Sequence, residues 1–176
     1  MLRKILKWSF ISLMLLITTI VVLYFVNPKL LYSGVKATAG LVLQTKPYPT
    51  KNRVHPLLQK KVNAMIKEAR KKGIDLRVVS SFRDMDKQAA LYAKGRNGSG
   101  KKVTNAPPGF SYHNYGLAVD VVEYKNGKPN WKSKNWNTIG KLGKEQGLVW
   151  GGDWKRLVDK PHFQLSLKDV LLHVIF

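Results

Sequence analysis

The stretch Ser111-Tyr-His-Asn-Tyr-Gly-Leu-Ala-Val-Asp120 decides how this chain is read. It sets a histidine seven residues ahead of a carboxylate. Leu117-Ala-Val-Asp-Val-Val122 alternates in the manner of a strand. Alternation puts Ala118, Asp120 and Val122 on one face and Leu117, Val119 and Val121 on the other. A carboxylate among Val and Ala on a core strand is costly without a partner. Gly116 lets the chain turn, so His113 can fold back towards Asp120. A divalent cation would offset the cost of burying the carboxylate, and zinc accepts nitrogen and oxygen ligands from His and Asp.

A third ligand has to come from elsewhere, and Asp159-Lys-Pro-His-Phe-Gln-Leu165 offers it. Pro161 disfavours helix at Lys160, so the segment reads as extended. His162, Gln164 and Ser166 then share one face, with Phe163 and Leu165 on the other. Zinc held by His113, Asp120 and His162 would keep a fourth position open. Asp159, three residues before His162, is placed to act as general base on a water there.

The joint pattern Ser-x-His-x-x-Gly-x-Ala-x-Asp and Asp-x-Pro-His-Phe-Gln closely resembles the zinc D-alanyl-D-alanine carboxypeptidase and L-alanyl-D-glutamate endopeptidase family, the VanY-like and CwlK-like enzymes. Ser80-Ser-Phe-Arg83 with Gln88 resembles the same family's Ser-x-x-Arg…Gln segment. The resemblance runs from about Val54 to Leu165. It implies a small α+β fold of the Hedgehog/DD-peptidase kind, a mixed sheet with flanking helices. It also implies Zn2+ on His113, Asp120 and His162, and a base at Asp159. Arg83 would face the substrate or the developing oxyanion, with Gln88 and Ser111 beside the substrate. Carboxypeptidase members tend to carry Glu-x-x-His followed by Trp. Asp159-x-x-His162-Phe163-Gln164 is similar to the endopeptidase branch instead, which implies cleavage between L-alanine and D-glutamate.

Around this centre the chain reads as an ordinary domain. Pro56 suits a first helical position. Leu58, Val62, Met65, Ile66 and Ala69 form a stripe at helical period, so a helix runs to about Lys72 and Gly73 ends it. Ile74 to Val79 predicts a strand. Asp84 can cap a second helix through Lys94. Gly95 to Phe110 is a long loop leading into His113 and bordering the cleft. Asn126-Gly127 signals a hairpin. Trp136 to Gln146 reads as a third helix with Ile139 and Leu142 inward, Leu148 to Trp150 as a short strand, and Leu167 to Phe176 as an apolar tail. Glu123 and Asp153 are either partners that orient ligand imidazoles or ordinary surface carboxylates. His55 and His173 are read as structural or surface residues, and Tyr115 and Trp150 as packing residues in preference to cleft walls.

The N-terminus differs in kind. Arg3, Lys4 and Lys7 precede nineteen uncharged residues, Trp8 to Val26. That is close to the ~20 residues needed to cross a bilayer. A cleaved signal usually has an apolar core of only ~7–15 residues. The expectation is an uncleaved anchor over residues 1–27, a linker over 28–53 and a zinc peptidase domain over 54–176. The positive flank places the domain outside a bacterial membrane. Ala37-Thr-Ala39 keeps the alternative of signal cleavage and secretion open.

With no cysteine among 176 residues, disulfides, thiolate ligands and cysteine nucleophiles are excluded. The formal net charge is +21. Three of those charges sit before the apolar run, which leaves eighteen on the rest. Such a surplus attracts polyanions. Nucleic acid is not expected outside a membrane, whereas anionic lipids, teichoic-acid-like wall polymers and peptidoglycan carboxylates are. The chain therefore reads as a membrane-anchored monomer that hydrolyses peptidoglycan stem peptides with a metal-activated water. The competing reading is a wall-binding module without catalysis, which would not need all four of His113, Asp120, Asp159 and His162.

Overall fold

The computed structural model describes residues 12–16, 18–19, 54–96 and 100–175. The chain divides into two compact units, Met1–Val42 and Leu43–Phe176. In the first, the described residues 12–16 and 18–19 are helical. Among the described residues no helix is long and apolar enough to cross a membrane. The remainder of the expected anchor and the whole of the 28–53 linker lie outside the described residues.

The second unit begins with helix α1, Pro56–Lys71. His55 Nδ1 accepts from Leu57 N at 3.3 Å, and Pro56 opens the helix without wasting a donor. Leu58, Val62, Met65 and Ala69 are its buried stripe. Gly73, at φ +73°, turns the chain into strand β1, Asp75–Ser80. Asp84 accepts from Lys87 N at 2.7 Å and so caps helix α2, Met85–Ala93. Strand β2, Ala118–Lys125, turns at Asn126-Gly127 into the two-residue strand β3, Lys128–Pro129. Helix α3, Trp136–Glu145, strand β4, Leu148–Trp150, and strand β5, His162–Leu165, follow. A short helix α4, Leu167–Val170, begins the C-terminal segment.

The sheet order is β1-β2-β5-β4, with β3 also paired to β2. A mixed sheet was the expectation, yet every described pairing is antiparallel. The reason lies in the connection between β1 and β2. Ser80 at the end of β1 pairs with Asp120 near the start of β2. Residues 81–117 thus leave and re-enter at one end of the sheet, where a parallel strand would need a crossover to the other end.

The two faces of the sheet have separate tasks. Leu117, Val119, Val121, Phe163 and Leu165 are buried in one core with the α1 stripe and with Ile139 and Leu142 of α3. Phe163 packs so closely on α3 that a β-carbon at Gly143 would collide with its ring. Alternation turns the intervening residues, Asp120 and His162, to the opposite face. They stand directly opposite each other in register.

Candidate metal centre

His113 reaches the centre from a single 3₁₀ turn, Tyr112–Tyr115, that ends at Gly116 with φ +66°. This is the left-handed conformation that glycine adopts without a steric penalty. The turn is fastened on several sides. Arg83 N donates to His113 O at 3.0 Å, and Asn114 Nδ2 donates to Arg83 O at 2.7 Å. Gly109 N donates to Asn114 Oδ1 at 3.1 Å, and Tyr115 OH donates to Gly109 O at 2.8 Å. The long loop, the Arg83 segment and the histidine turn therefore form one hydrogen-bonded body.

Three donor atoms converge. His113 Nε2 and His162 Nδ1 each lie 3.3 Å from Asp120 Oδ1, and 3.2 Å from each other. The other nitrogen of each ring is already committed. His113 Nδ1–H donates to Ser81 O at 2.7 Å, and His162 Nε2–H donates to Gln164 Oε1 at 3.0 Å. In the neutral imidazoles the inward nitrogens then carry lone pairs. Two nitrogen lone pairs and a carboxylate oxygen facing one another repel, unless a cation or an added proton sits among them. Neighbouring ligands on a tetrahedral ion with bonds of ~2.0–2.1 Å are about 3.3 Å apart, so this donor set fits zinc. Ser81 and Gln164 are the groups that fix each tautomer and aim each lone pair, as partners of ligand histidines ordinarily do. Glu123 and Asp153, considered for that task, are engaged elsewhere. Glu123 accepts from Ser133 Oγ and Asn135 Nδ2, and Asp153 accepts from Lys144 Nζ at 2.8 Å.

Burial alone would push the Asp120 carboxyl up, but the hydrogen bonds and charges of His113 and His162 outweigh it. The group is held well below the usual carboxylate range, as an anionic ligand requires. Asp159 is its counterpart. Burial pushes the Asp159 carboxyl above its ordinary value; the charge on Asp120 adds to the rise, against the pull of His162, His113 and Arg83. Among the described residues nothing donates a hydrogen bond to its carboxylate, while its main chain forms the turn into His162, whose N–H donates to Asp159 O at 3.2 Å. This carboxylate can take up a proton.

Arg83 borders the same centre. Its Nη2 lies 3.4 Å from Asp120 Oδ2 and its Nη1 donates to Gln88 Oε1 at 3.0 Å. Gln88 is 0 % exposed, and its Nε2 donates to Ala106 O at 2.7 Å. Gln88 was expected beside the substrate; with both ends of its amide engaged inside the protein, it aims Arg83 and ties down the loop. Ser111, also expected there, is buried at the start of the histidine turn and its side chain does not cap that turn.

A model of the VanY family, D-alanyl-D-alanine carboxypeptidase, matches residues 51–151. The chain belongs to this family. Among VanY relatives, the peptidoglycan L-alanyl-D-glutamate endopeptidase CwlK of Bacillus subtilis (strain 168) is 38% identical over 70% of this chain and 78% of its own length. The L-Ala D-Glu endopeptidase ChiX of Serratia marcescens has a similar structure, with a TM-score of 0.50 and 30% identity over 66% of this chain and 83% of ChiX. The D,D-pentapeptidase VanY of a VanB-type resistance cassette, solved with Zn(II), shares the fold at a TM-score of 0.51 and 17% identity, over 72% of this chain and 86% of that one. Like these VanY-type relatives, the chain is a peptidase.

Three neighbours of the centre escaped the sequence reading. Gln164 was placed on the face of His162 without a role; two residues along a strand is the spacing that brings it to the ring. Trp154, partly exposed, sets its ring 5.0 Å from that of His162 and walls one side of the centre. A β-carbon at Gly151 would collide with Asp159 O and press on His162 Cβ, so only glycine lets the Asp159–His162 turn sit where it does.

Proposed function

We propose that the chain is a zinc-dependent endopeptidase that cleaves the L-Ala–D-Glu bond of peptidoglycan stem peptides. The observation that carries this reading is the convergence of His113, Asp120 and His162 lone pairs beside a half-buried Asp159 carboxylate that has no hydrogen-bond donor among the described residues. The choice of bond rests on the likeness to CwlK and ChiX and on Asp159-x-x-His162-Phe163-Gln164.

His113, Asp120 and His162 would hold the metal. When bound, zinc supplies a Lewis acid that makes water acidic enough to attack near neutral pH. Asp159 takes the proton of the attacking water and can return it to the leaving amine. Arg83, steadied by Gln88, offers its guanidinium to the oxyanion that develops on the scissile carbonyl. No side chain forms a covalent bond with substrate. The uncharged Trp8–Val26 run anchors the enzyme in the bacterial membrane with its second unit outside.

The test is digestion of purified peptidoglycan, with mass spectrometry of the new termini. New amino termini on D-glutamate are expected, and they disappear with His113→Ala. Free D-alanine as the sole product from a pentapeptide stem would instead make the chain a D-alanyl-D-alanine carboxypeptidase, the activity for which its family is named.

A further inference from the structure

Residues 124–135, Tyr-Lys-Asn-Gly-Lys-Pro-Asn-Trp-Lys-Ser-Lys-Asn, carry four lysines and no acid. Lys125, Lys128, Lys132 and Lys134 are all exposed, and none makes an ion pair among the described residues. Trp131 stands among them, 56 % exposed. This is no slack loop. Asn130 N donates to Glu123 O at 2.8 Å, and Trp136 Nε1 donates to Trp131 O at 3.3 Å. Of the carboxylates beside it, Glu123 is buried, where it holds Ser133 Oγ and Asn135 Nδ2, and Asp75, opposite Tyr124 in the sheet, is paired with Arg77 at 2.7 Å. Both neighbouring carboxylates are thus already engaged, and the four lysines stand unpaired among the described residues around one fixed aromatic ring. Lys125 lies five residues along β2 from Asp120, about 17 Å away at strand rise. None of the four lysines or Trp131 is among the residues that converge on the candidate metal centre.

We propose that this hairpin surface binds a phosphodiester-linked anionic polymer of the cell wall, with phosphates on the four lysines and a sugar or polyol face on Trp131. The proposal rests on the reading of the chain as a wall peptidase. Lysine ammonium groups act as point charges that accept irregular phosphate spacing, whereas arginine selects a fixed fork geometry. Bilayer insertion needs a broad apolar face, and Trp131 is flanked in the chain by Asn130 and Lys132. A single-stranded nucleic acid is usually held on several stacked aromatics. A solvated polyanion suits the surface best. The patch would hold the enzyme on the wall while leaving the cleft open to stem peptides.

The full-length protein in mild detergent is sedimented with insoluble walls, either intact or stripped of phosphodiester polymers by hydrofluoric acid. Binding to intact walls is expected to weaken at least about tenfold between about 50 and 200 mM salt, as release of counterions from a polyanion requires. Stripped walls should bind at least tenfold more weakly than intact ones. Lys125→Glu/Lys128→Glu/Lys132→Glu/Lys134→Glu should match that loss, and Trp131→Ala should lose several-fold. Reversal of Lys60, Lys67 and Arg70 on α1 and of Lys72 at its C-cap makes the same change in net charge and should leave most binding. Hydrolysis of a soluble stem peptide should stay within about twofold in every variant, which certifies the fold and tests the peptidase reading independently. If the quadruple variant fails to fold, Lys128→Gln/Lys132→Gln takes its place. Equal binding to stripped walls, equal loss from the α1 set, or patch-dependent binding to anionic lipid vesicles in preference to walls would each overturn the proposal.

Discussion

Asp120 and Asp159 stand beside the same two imidazoles, yet their surroundings give them opposite characters. Asp120 is held anionic by His113 and His162, while burial makes Asp159 a better proton acceptor. Asp159→Asn should keep a full equivalent of zinc and lose about 10²–10⁴ in rate. Asp120→Asn should weaken zinc binding itself. Metal analysis and rate assays on the same preparations check both; loss of zinc from Asp159→Asn as complete as from Asp120→Asn would make Asp159 a ligand. Gln164→Leu frees His162 Nε2 and with it the tautomer, so zinc affinity should fall about 10–100-fold. Competition with a chelator measures this, and an unchanged affinity would show that Gln164 does not fix the ring. That His113, Asp120 and His162 meet was legible in the sequence because each is an expensive residue in an apolar or proline-fixed setting. Ser81 was not, because its contribution is a backbone carbonyl, which every residue possesses. The inward partners of Gln88 were hidden for a related reason. A glutamine on a helix gives no sign of whether its amide turns outward or, as here, to Arg83 and Ala106.

Helix α3 is fitted to the sheet by what it lacks. Gly140 faces the Trp150 ring and Gly143 the Phe163 ring, and a β-carbon at either would collide. Gly143→Ala should therefore destabilise the domain by about 1–3 kcal/mol in denaturant unfolding, even though alanine favours helix. A neutral or stabilising result would mean that the ring has room to shift. Helix α4 is fixed differently. Asp169 Oδ2 accepts from Ser166 Oγ and from Lys61 Nζ, each at 2.8 Å, which ties the C-terminal segment to α1. Burial raises the Asp169 carboxyl, but Lys61 and Ser166 lower it further, so its folded value lies below the unfolded one. Its stabilisation is therefore complete above the unfolded value of about 4 and is lost as pH falls through the folded value. Asp169→Asn should cost about 1 kcal/mol at pH 7, and the difference from wild type should shrink below about pH 4. A difference that stays constant with pH would remove charge from the explanation. Helix and strand positions were read to within about a residue at most ends, since period and caps are local signals. The direction of strand pairing was not, since it depends on where residues 81–117 return to the sheet.

The charge and the apolar run act over the entire chain. The full-length protein should fractionate with membranes, and a chain starting near Thr50 should remain soluble and active, because every residue of the metal centre comes after it. A mature N-terminus mapped just after Ala39 would replace the anchor with a cleaved signal. The pairing of Asp120 with His162 bears on another matter, how freely such a chain can change its length. One residue added just after His162, inside the four-residue strand β5, would turn the histidine to the opposite face while Phe163 to Leu165 keep their places, and would empty the centre of a donor. Residues added at the Asn126-Gly127 turn would leave the register untouched and cost only a slowly growing loop entropy. The centre is thus indifferent to most of the distance between its two halves and intolerant of a single step within them, so new segments can accumulate at the hairpin while His113, Asp120 and His162 stay in place.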